Sequence, residues 1–193
     1  QNVEDMRRLI VGSASSRFLL AVSGGMDSMC MADLFLHLSG SDSFAIAHCN
    51  FSLRGEESDG DEALVREWAR THDVQLFVKR FDTMSYAQER GVSIEMAARE
   101  LRYGWFAQLC AEYGFAALSV AHNANDNAET LMLNLLRGTG LAGLHGIARV
   151  SEISTALVFR PLLEFTRKQI EGYALAHRVP YRHDSTNFES DYK

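Results

Sequence analysis

The residues Ser23-Gly24-Gly25-Met26-Asp27-Ser28 follow the apolar run Phe18–Val22 and open a helical pattern. Glycines let backbone N–H groups approach a ligand closely, and a helix N-terminus favours an anion. Ser23 and Ser28 add hydroxyl donors, so the segment reads as a phosphate cradle. Asp27 is the odd member, because a carboxylate beside phosphate repels it unless a metal ion lies between them. The loop lacks the Gly-Lys-Ser/Thr ending of a Walker A site. A second acidic group stands in Ala121-His122-Asn123-Ala124-Asn125-Asp126-Asn127-Ala128-Glu129-Thr130, where Asp126 and Glu129 are three residues apart at a helix start. That spacing places both carboxylates on one face, able to hold Mg²⁺ through one or two direct bonds and waters. The same Asp-x-x-Glu spacing also suits helix capping. The third segment, His48-Cys49-Asn50-Phe51-Ser52-Leu53-Arg54-Gly55-Glu56-Glu57-Ser58, offers an imidazole at a strand end, an Arg-Gly turn and two acids that begin a helix.

Strand-like runs cover Phe18–Val22, Phe44–His48, Val74–Lys79, Phe115–Val120 and Leu157–Phe159. Helical patterns cover Ser28–Leu38, Glu57–Thr71, Ser93–Tyr113, Asp126–Arg137 and Thr166–His177. This alternation predicts an α/β fold, an open and mostly parallel five-stranded sheet with helices on both faces. Ligands of such sheets sit beyond the carboxyl ends of the strands, which points to the segments after Val22, His48 and Val120.

The 193 residues suffice for one domain, and no apolar stretch approaches the roughly 20 residues that span a bilayer. Cys30, Cys49 and Cys110 lie far apart without CxxC spacing, so reduced thiols in a cytoplasmic protein are expected. On composition alone the net charge of −6 argues against nucleic-acid binding, since phosphate contacts need clustered Lys and Arg.

Ser23–Ser28 resembles the SGGxDS signature of PP-loop ATP pyrophosphatases. His48–Ser58 resembles the more specific HxNxxLRGxES pattern of the tRNA(Ile)-lysidine synthetase family within that superfamily. Ala121–Thr130 is similar to that family's AHHxDDQxET motif, departing from it at Asn123, Asn125 and Asn127 while His122, Asp126, Glu129 and Thr130 match. Leu135–Leu144 resembles LLRGxGxxGL, Glu95–Tyr103 resembles ExxARxxRY, and Arg160–Leu163 and Asp184–Asn187 match RPLL and DSTN. The likeness runs from Leu19 to Asn187.

The resemblance implies a PP-loop catalytic domain, similar to adenine nucleotide alpha hydrolases, spanning residues 1–193. It implies a ligase that binds ATP and Mg²⁺, adenylates the wobble cytidine of tRNA(Ile), and joins free L-lysine to the activated base with loss of pyrophosphate and AMP. Ser23, Gly24, Gly25, Met26, Asp27, Ser28 and Gly138 would bind ATP; Asp27, Asp126 and Glu129 would hold the metal. His122 and Arg99 join those three acids as catalytic candidates. His48, Asn50, Arg54, Glu57, Arg102 and Arg137 are the substrate candidates. His122 and His48 are both open as acceptors of the lysine proton. The family carries tRNA-gripping C-terminal domains after DSTN, which would hold most of the tRNA(Ile) contact beyond Lys193; a homodimer is allowed, and membrane attachment is not expected. The alternatives are another PP-loop tRNA-modifying enzyme such as a thiolase, and a nucleotide-binding module without turnover.

Overall fold

The computed structural model describes residues 17–136, 146–153 and 156–183. Six strands form one sheet in the order β3-β2-β1-β4-β6-β5. They are β1 (Phe18–Ala21), β2 (Phe44–Asn50), β3 (Gln75–Arg80), β4 (Ala117–Ser119), β5 (Val150–Ile153) and β6 (Ala156–Phe159). All neighbours pair in parallel except β5 with β6, which form an antiparallel pair with Val150 opposite Phe159. The helices are α1 (Met26–Ser39), α2 (Glu56–Thr71), α3 (Thr83–Arg90), α4 (Ile94–Tyr113), α5 (Ala124–Leu136) and α6 (Arg167–His177).

The expectation of five strands is therefore corrected to six, by the edge strand β5. Its four residues, Val-Ser-Glu-Ile, are too short for a readable period, and Val150 is exposed; pairing with β6 makes it a strand. Helix α3 was also not foreseen. It buries only Thr83 and Ala87, so it writes no apolar stripe, and it starts where Asp82 accepts a hydrogen bond from the Ser85 amide.

Period-two alternation along β1 sends Phe18, Leu20 and Val22 to one side of the sheet and Leu19 to the other. On the first side α1, α2 and α6 bury Met29, Phe35, Val65, Trp68 and Ile170; on the second, α4 buries Trp105, Phe106 and Leu109. The chain builds β1, β2 and β3 outward, then returns to place β4 on the other side of β1. That reversal is a topological switch point, and it brings the segments after β1 and β4 to one crevice.

Candidate active site

The loop after β1 is held by its own hydroxyls. Ser28 Oγ accepts from the Ser23 amide at 3.1 Å, donates to the Gly25 carbonyl at 3.0 Å and lies 3.1 Å from Ser23 Oγ. Gly24 sits at φ +98°, where a side chain is strained, and a Cβ there would come within 3.3 Å of Asp61. Gly25 precedes α1 with no side chain capping the helix. The first amides of α1 are thus aimed at the crevice with their partial positive charge available to an anion.

Asp27, in the first turn of α1, faces the segment after β4. Its Oδ2 accepts from the Asn123 side-chain amide at 2.8 Å, while its Oδ1 is buried with no hydrogen-bond partner. Burial pushes the Asp27 carboxyl up; the Asn123 hydrogen bond opposes this, Asp126 adds to it and Arg167 opposes it. An orphaned carboxylate oxygen beside a second carboxylate has the donor chemistry of a hard divalent cation site. Asp126 also closes a reciprocal cap. Asn123 Oδ1 accepts from the amides of Asn125 and Asp126, and Asp126 Oδ2 accepts from the Asn123 amide at 2.9 Å. Of the two readings of that acid drawn from the sequence, these bonds are the helix cap, and Asp126 does not line the cleft. Glu129 is exposed one turn further along α5 and does not line the cleft.

The three asparagines that depart from the family motif each hold a bond. Asn123, wholly buried, ties Asp27 to the cap of α5. Asn125 Oδ1 accepts from the Arg167 amide at 2.9 Å, joining the start of α5 to the start of α6. Asn127 Oδ1 accepts from the Ile147 amide at 2.6 Å.

The cleft over the carboxyl ends of β1 and β4 has a volume of about 630 Å³. Its walls include Ser23, Gly25, Met26, Asp27, Ser28 and His122, the rings of Phe51, Tyr103 and Phe106, and the cations Arg102, Arg167 and Arg182. A chain of net charge −6 thus turns three guanidinium-bearing residues toward one crevice. Arg102 lies over the Phe51 ring at 5.2 Å. Arg99 lies over Tyr103 at 5.1 Å and is outside the lining.

His122 Nδ1 accepts from Arg160 Nε at 3.3 Å, which assigns the ring proton of the neutral form to Nε2. Burial and then the Arg160 charge push the His122 imidazole below its ordinary value. Arg160 is itself fixed by the Ala148 carbonyl and Ser151 Oγ.

The segment after β2 is arranged differently. His48 is 2% exposed, donates from Nδ1 to the Val22 carbonyl at 2.8 Å, and leaves Nε2 buried without a partner, away from the cleft lining. Burial holds its pKa below the ordinary value. Asn50, also 2% exposed, donates to Glu62 at 2.9 Å and to Asp59 at 3.2 Å and accepts from the Ser52 amide. Arg54 pairs with Asp61 at 3.2 Å and lies 3.9 Å from Glu57. Of these four substrate candidates His48 fastens the end of β1, the other three pair with α2 or belong to it, and none lines the cleft. Arg137 and Gly138, the rest of the 135–144 motif's polar candidates, and the 184–187 match lie outside the described residues.

Arg167, Arg182, Tyr103 and Phe51 line the cleft but were not singled out as site residues from the sequence. Arg167 had a signal: Thr166 caps α6, and the next two residues are Arg167 and Lys168, cations at the end of a helix whose dipole disfavours them. Arg182 had none, since its place is set by a backbone bond from its amide to the Gly24 carbonyl at 3.0 Å. Its guanidinium packs on Gly60, where a Cβ would sit 2.7 Å away, and pairs with Asp61 at 3.1 Å.

A PP-loop domain model matches residues 1–193. The chain is 49% identical over 175 residues to a tRNA(Ile)-lysidine synthase of Porphyromonas gingivalis, covering 91% of this chain and 37% of that protein. It is 41% identical over 196 residues to the synthase of that name from Chlorobaculum tepidum, covering 98% of this chain and 57% of that one. Among solved structures, a U34-tRNA thiolase from Methanococcus maripaludis superposes with a TM-score of 0.70 at 17% identity, over 93% of this chain and 64% of that one. An NH3-dependent NAD synthetase from Campylobacter jejuni gives 0.63 at 12%, over 100% and 76%. Those structural likenesses concern the fold. The chain spans between about a third and three-fifths of the length of the two synthases.

Proposed function

The chain belongs to the PP-loop domain family, and from that premise we propose that it is the ATP-using catalytic domain of a tRNA(Ile)-lysidine synthase. The observation that carries the chemistry is the pairing of uncapped α1 amides with the orphaned Asp27 Oδ1 in one cleft. Amides of that kind take a triphosphate; a lone carboxylate among phosphates calls for a divalent cation. Asp27 and Asp126 would hold Mg²⁺, with Glu129 one helical turn away as the third candidate. Bound there, the ion supplies charge neutralisation for the phosphate oxygens.

In this reading the carbonyl oxygen of the wobble cytidine attacks the α-phosphorus of ATP, the bond to the β-phosphate bridging oxygen breaks, and pyrophosphate leaves. The neutral ε-amine of lysine then attacks the activated ring carbon, AMP leaves, and the proton lost by the amine passes to solvent water. The loop amides, Arg167 and Arg102 stabilise the negative charge that builds on the α-phosphate oxygens, where fixed donors act without reorganising. Neutral His122, with its proton on Nε2 and Nδ1 taken by Arg160, acts as a hydrogen-bond donor to an anionic oxygen. His48 serves as a brace, since its bare nitrogen is buried outside the cleft. The apolar walls at Phe51, Tyr103 and Phe106 suit a base ring. The buried thiols favour this reading over a thiolase: burial pushes Cys30 and Cys49 up to about 12, far from a reactive thiolate.

Lysine, tRNA(Ile) and cytoplasmic location belong to this proposal, as does the expectation that regions outside this chain carry most of the tRNA contact. The test is mass spectrometry of tRNA(Ile) incubated with the full-length protein, ATP and lysine. The expected product carries one lysine on the wobble cytidine, with one pyrophosphate per modification. An unmodified base, or sulfur in place of lysine, would overturn the assignment.

A further inference from the structure

From the middle and last turn of α1 and the end of α6, Asp33, His37 and His177 bring one donor atom each within 4.8 Å of the others. Asp33 and His37 stand four residues apart on one face of α1, and His177 is the last residue of α6. His37 lies about 16 Å along α1 from its first residue, so this cluster is separate from the phosphate loop.

Two features make it more than a chance meeting of polar side chains. The carboxylate is fixed: Asp33 is 7% exposed, and its Oδ2 accepts from the Tyr173 hydroxyl at 2.8 Å. The imidazoles are placed by their rings. His177 stacks on Tyr173 with centroids 4.1 Å apart, and His37 meets His177 edge-on at 5.5 Å. His37 Nδ1 lies 2.8 Å from the Asp33 carbonyl oxygen and 3.3 Å from Asp33 Oδ2, so an ion taken up through it replaces the carbonyl bond. A carboxylate oriented by a neighbouring hydroxyl, with two exposed imidazoles above it, is a metal-ligand set with an outer partner already in place.

We infer that Asp33, His37 and His177 form a site for a borderline transition metal ion of the Zn²⁺ class, clamping α6 to α1. Two imidazole nitrogens and one carboxylate suit Zn²⁺ and disfavour Mg²⁺, which prefers oxygen donors and keeps its waters. Metal–ligand bonds of about 2.0–2.2 Å put tetrahedral donors roughly 3.4 Å apart. Asp33 Oδ2 and His37 Nδ1 already lie 3.3 Å apart, and the exposed His177 ring closes the remainder from within 4.8 Å, whereas Asp33 stays where Tyr173 holds it. The fourth position is open to water. α1 begins at the phosphate loop and α6 begins at Arg167, so the clamp ties together the two helices that frame the cleft. This inference does not depend on the proposed reaction.

The test is calorimetric titration of the chelator-treated protein with zinc chloride, alongside thermal melting with and without the metal. The expected result is one saturable site in excess Mg²⁺ and a higher melting temperature with zinc, as binding to the folded state requires. His37→Gln and His177→Gln change exposed side chains and leave the fold intact. Each is expected to weaken zinc at least as much as loss of an outer partner does, roughly 10–100-fold. Tyr173→Phe, which frees Asp33, is expected to weaken it by roughly tenfold. Undiminished zinc affinity in the double histidine variant would place the ion elsewhere and overturn the site. So would the absence of zinc binding in the wild-type protein, which would leave a histidine–aspartate contact alone.

Discussion

β2 ends on His48 and Asn50, while the segment after β4 carries His122 and Asn123. Each pair stands at the carboxyl end of a strand beside the central β1. After β2 both side chains turn inward: His48 fastens the end of β1 through the Val22 carbonyl, and Asn50 gathers the acids of α2. After β4 His122 lines the cleft, and Asn123 passes its hydrogen bond to the carboxylate that faces it. Residue type alone does not say which of two histidines faces the cleft. What separates them is the Val22 carbonyl at the end of β1, which takes up His48 from the neighbouring β2.

The contrast is broken most sharply at Asp27. Asp27→Asn is expected to lower ATP-dependent pyrophosphate release by roughly 10²–10³-fold, while the thermal midpoint holds or rises slightly, because burial disfavours the ionised carboxylate. A near-normal rate would remove the acid from the chemistry.

The two asparagines are expected to split activity from stability. Asn123→Ala loses a helix cap worth about 1 kcal/mol and lets Asp27 turn, so the rate per folded molecule falls by roughly 10–100-fold. Asn50→Ala strips partners from Glu62, whose carboxyl is raised by burial but brought below its usual range by hydrogen bonds from Asn50, Arg66 and Arg80. Its cost is about 1–3 kcal/mol of stability, with the rate per folded molecule retained. Denaturant melts and rates on the same samples check both, and equal behaviour of the two variants would erase the distinction.

The histidine of β2 yields a pH signature. Its folded pKa is depressed, so below about pH 6.5 the unfolded chain takes up a proton that folded His48 refuses. The stability contributed by His48 is thus complete above that pH and declines as the pH falls toward the folded value. Wild type should exceed His48→Gln in stability most at pH 7.5, with the gap narrowing toward pH 5.5; a constant gap would contradict a buried neutral His48. The smallest effect belongs to Arg54→Ala, less than about 1 kcal/mol, since the pair is partly exposed and Arg182 keeps its own bond to Asp61.

Much of this was legible in the chain. Ser23–Ser28 announced its loop because glycine freedom, a helix start and an acid coincide there, and the runs at Phe18–Val22 and Phe44–His48 are buried strands as read. Asp126 was visible as an acid at a helix start, with capping and metal binding both open. The role of Asn123 was not visible, because its partner Asp27 lies 96 residues away and the bond exists only once the switch point closes. Arg182 was hidden for the same reason, and β5 because four residues on an edge carry no period. The inward turn of His48 and Asn50 was masked by the specificity of their motif: a string that identifies a family includes residues that build the site as well as those that line it.

The central claim is that this cleft directs chemistry to the α-phosphorus of ATP. The direct measurement is chromatography of the nucleotide products formed by the full-length protein from α-labelled ATP with tRNA(Ile) and lysine present. The account predicts labelled AMP with unlabelled pyrophosphate, in equal amounts and dependent on tRNA(Ile), and neither from Asp27→Asn. Labelled ADP with inorganic phosphate would mean that the cleft breaks the β–γ bond, and would contradict it.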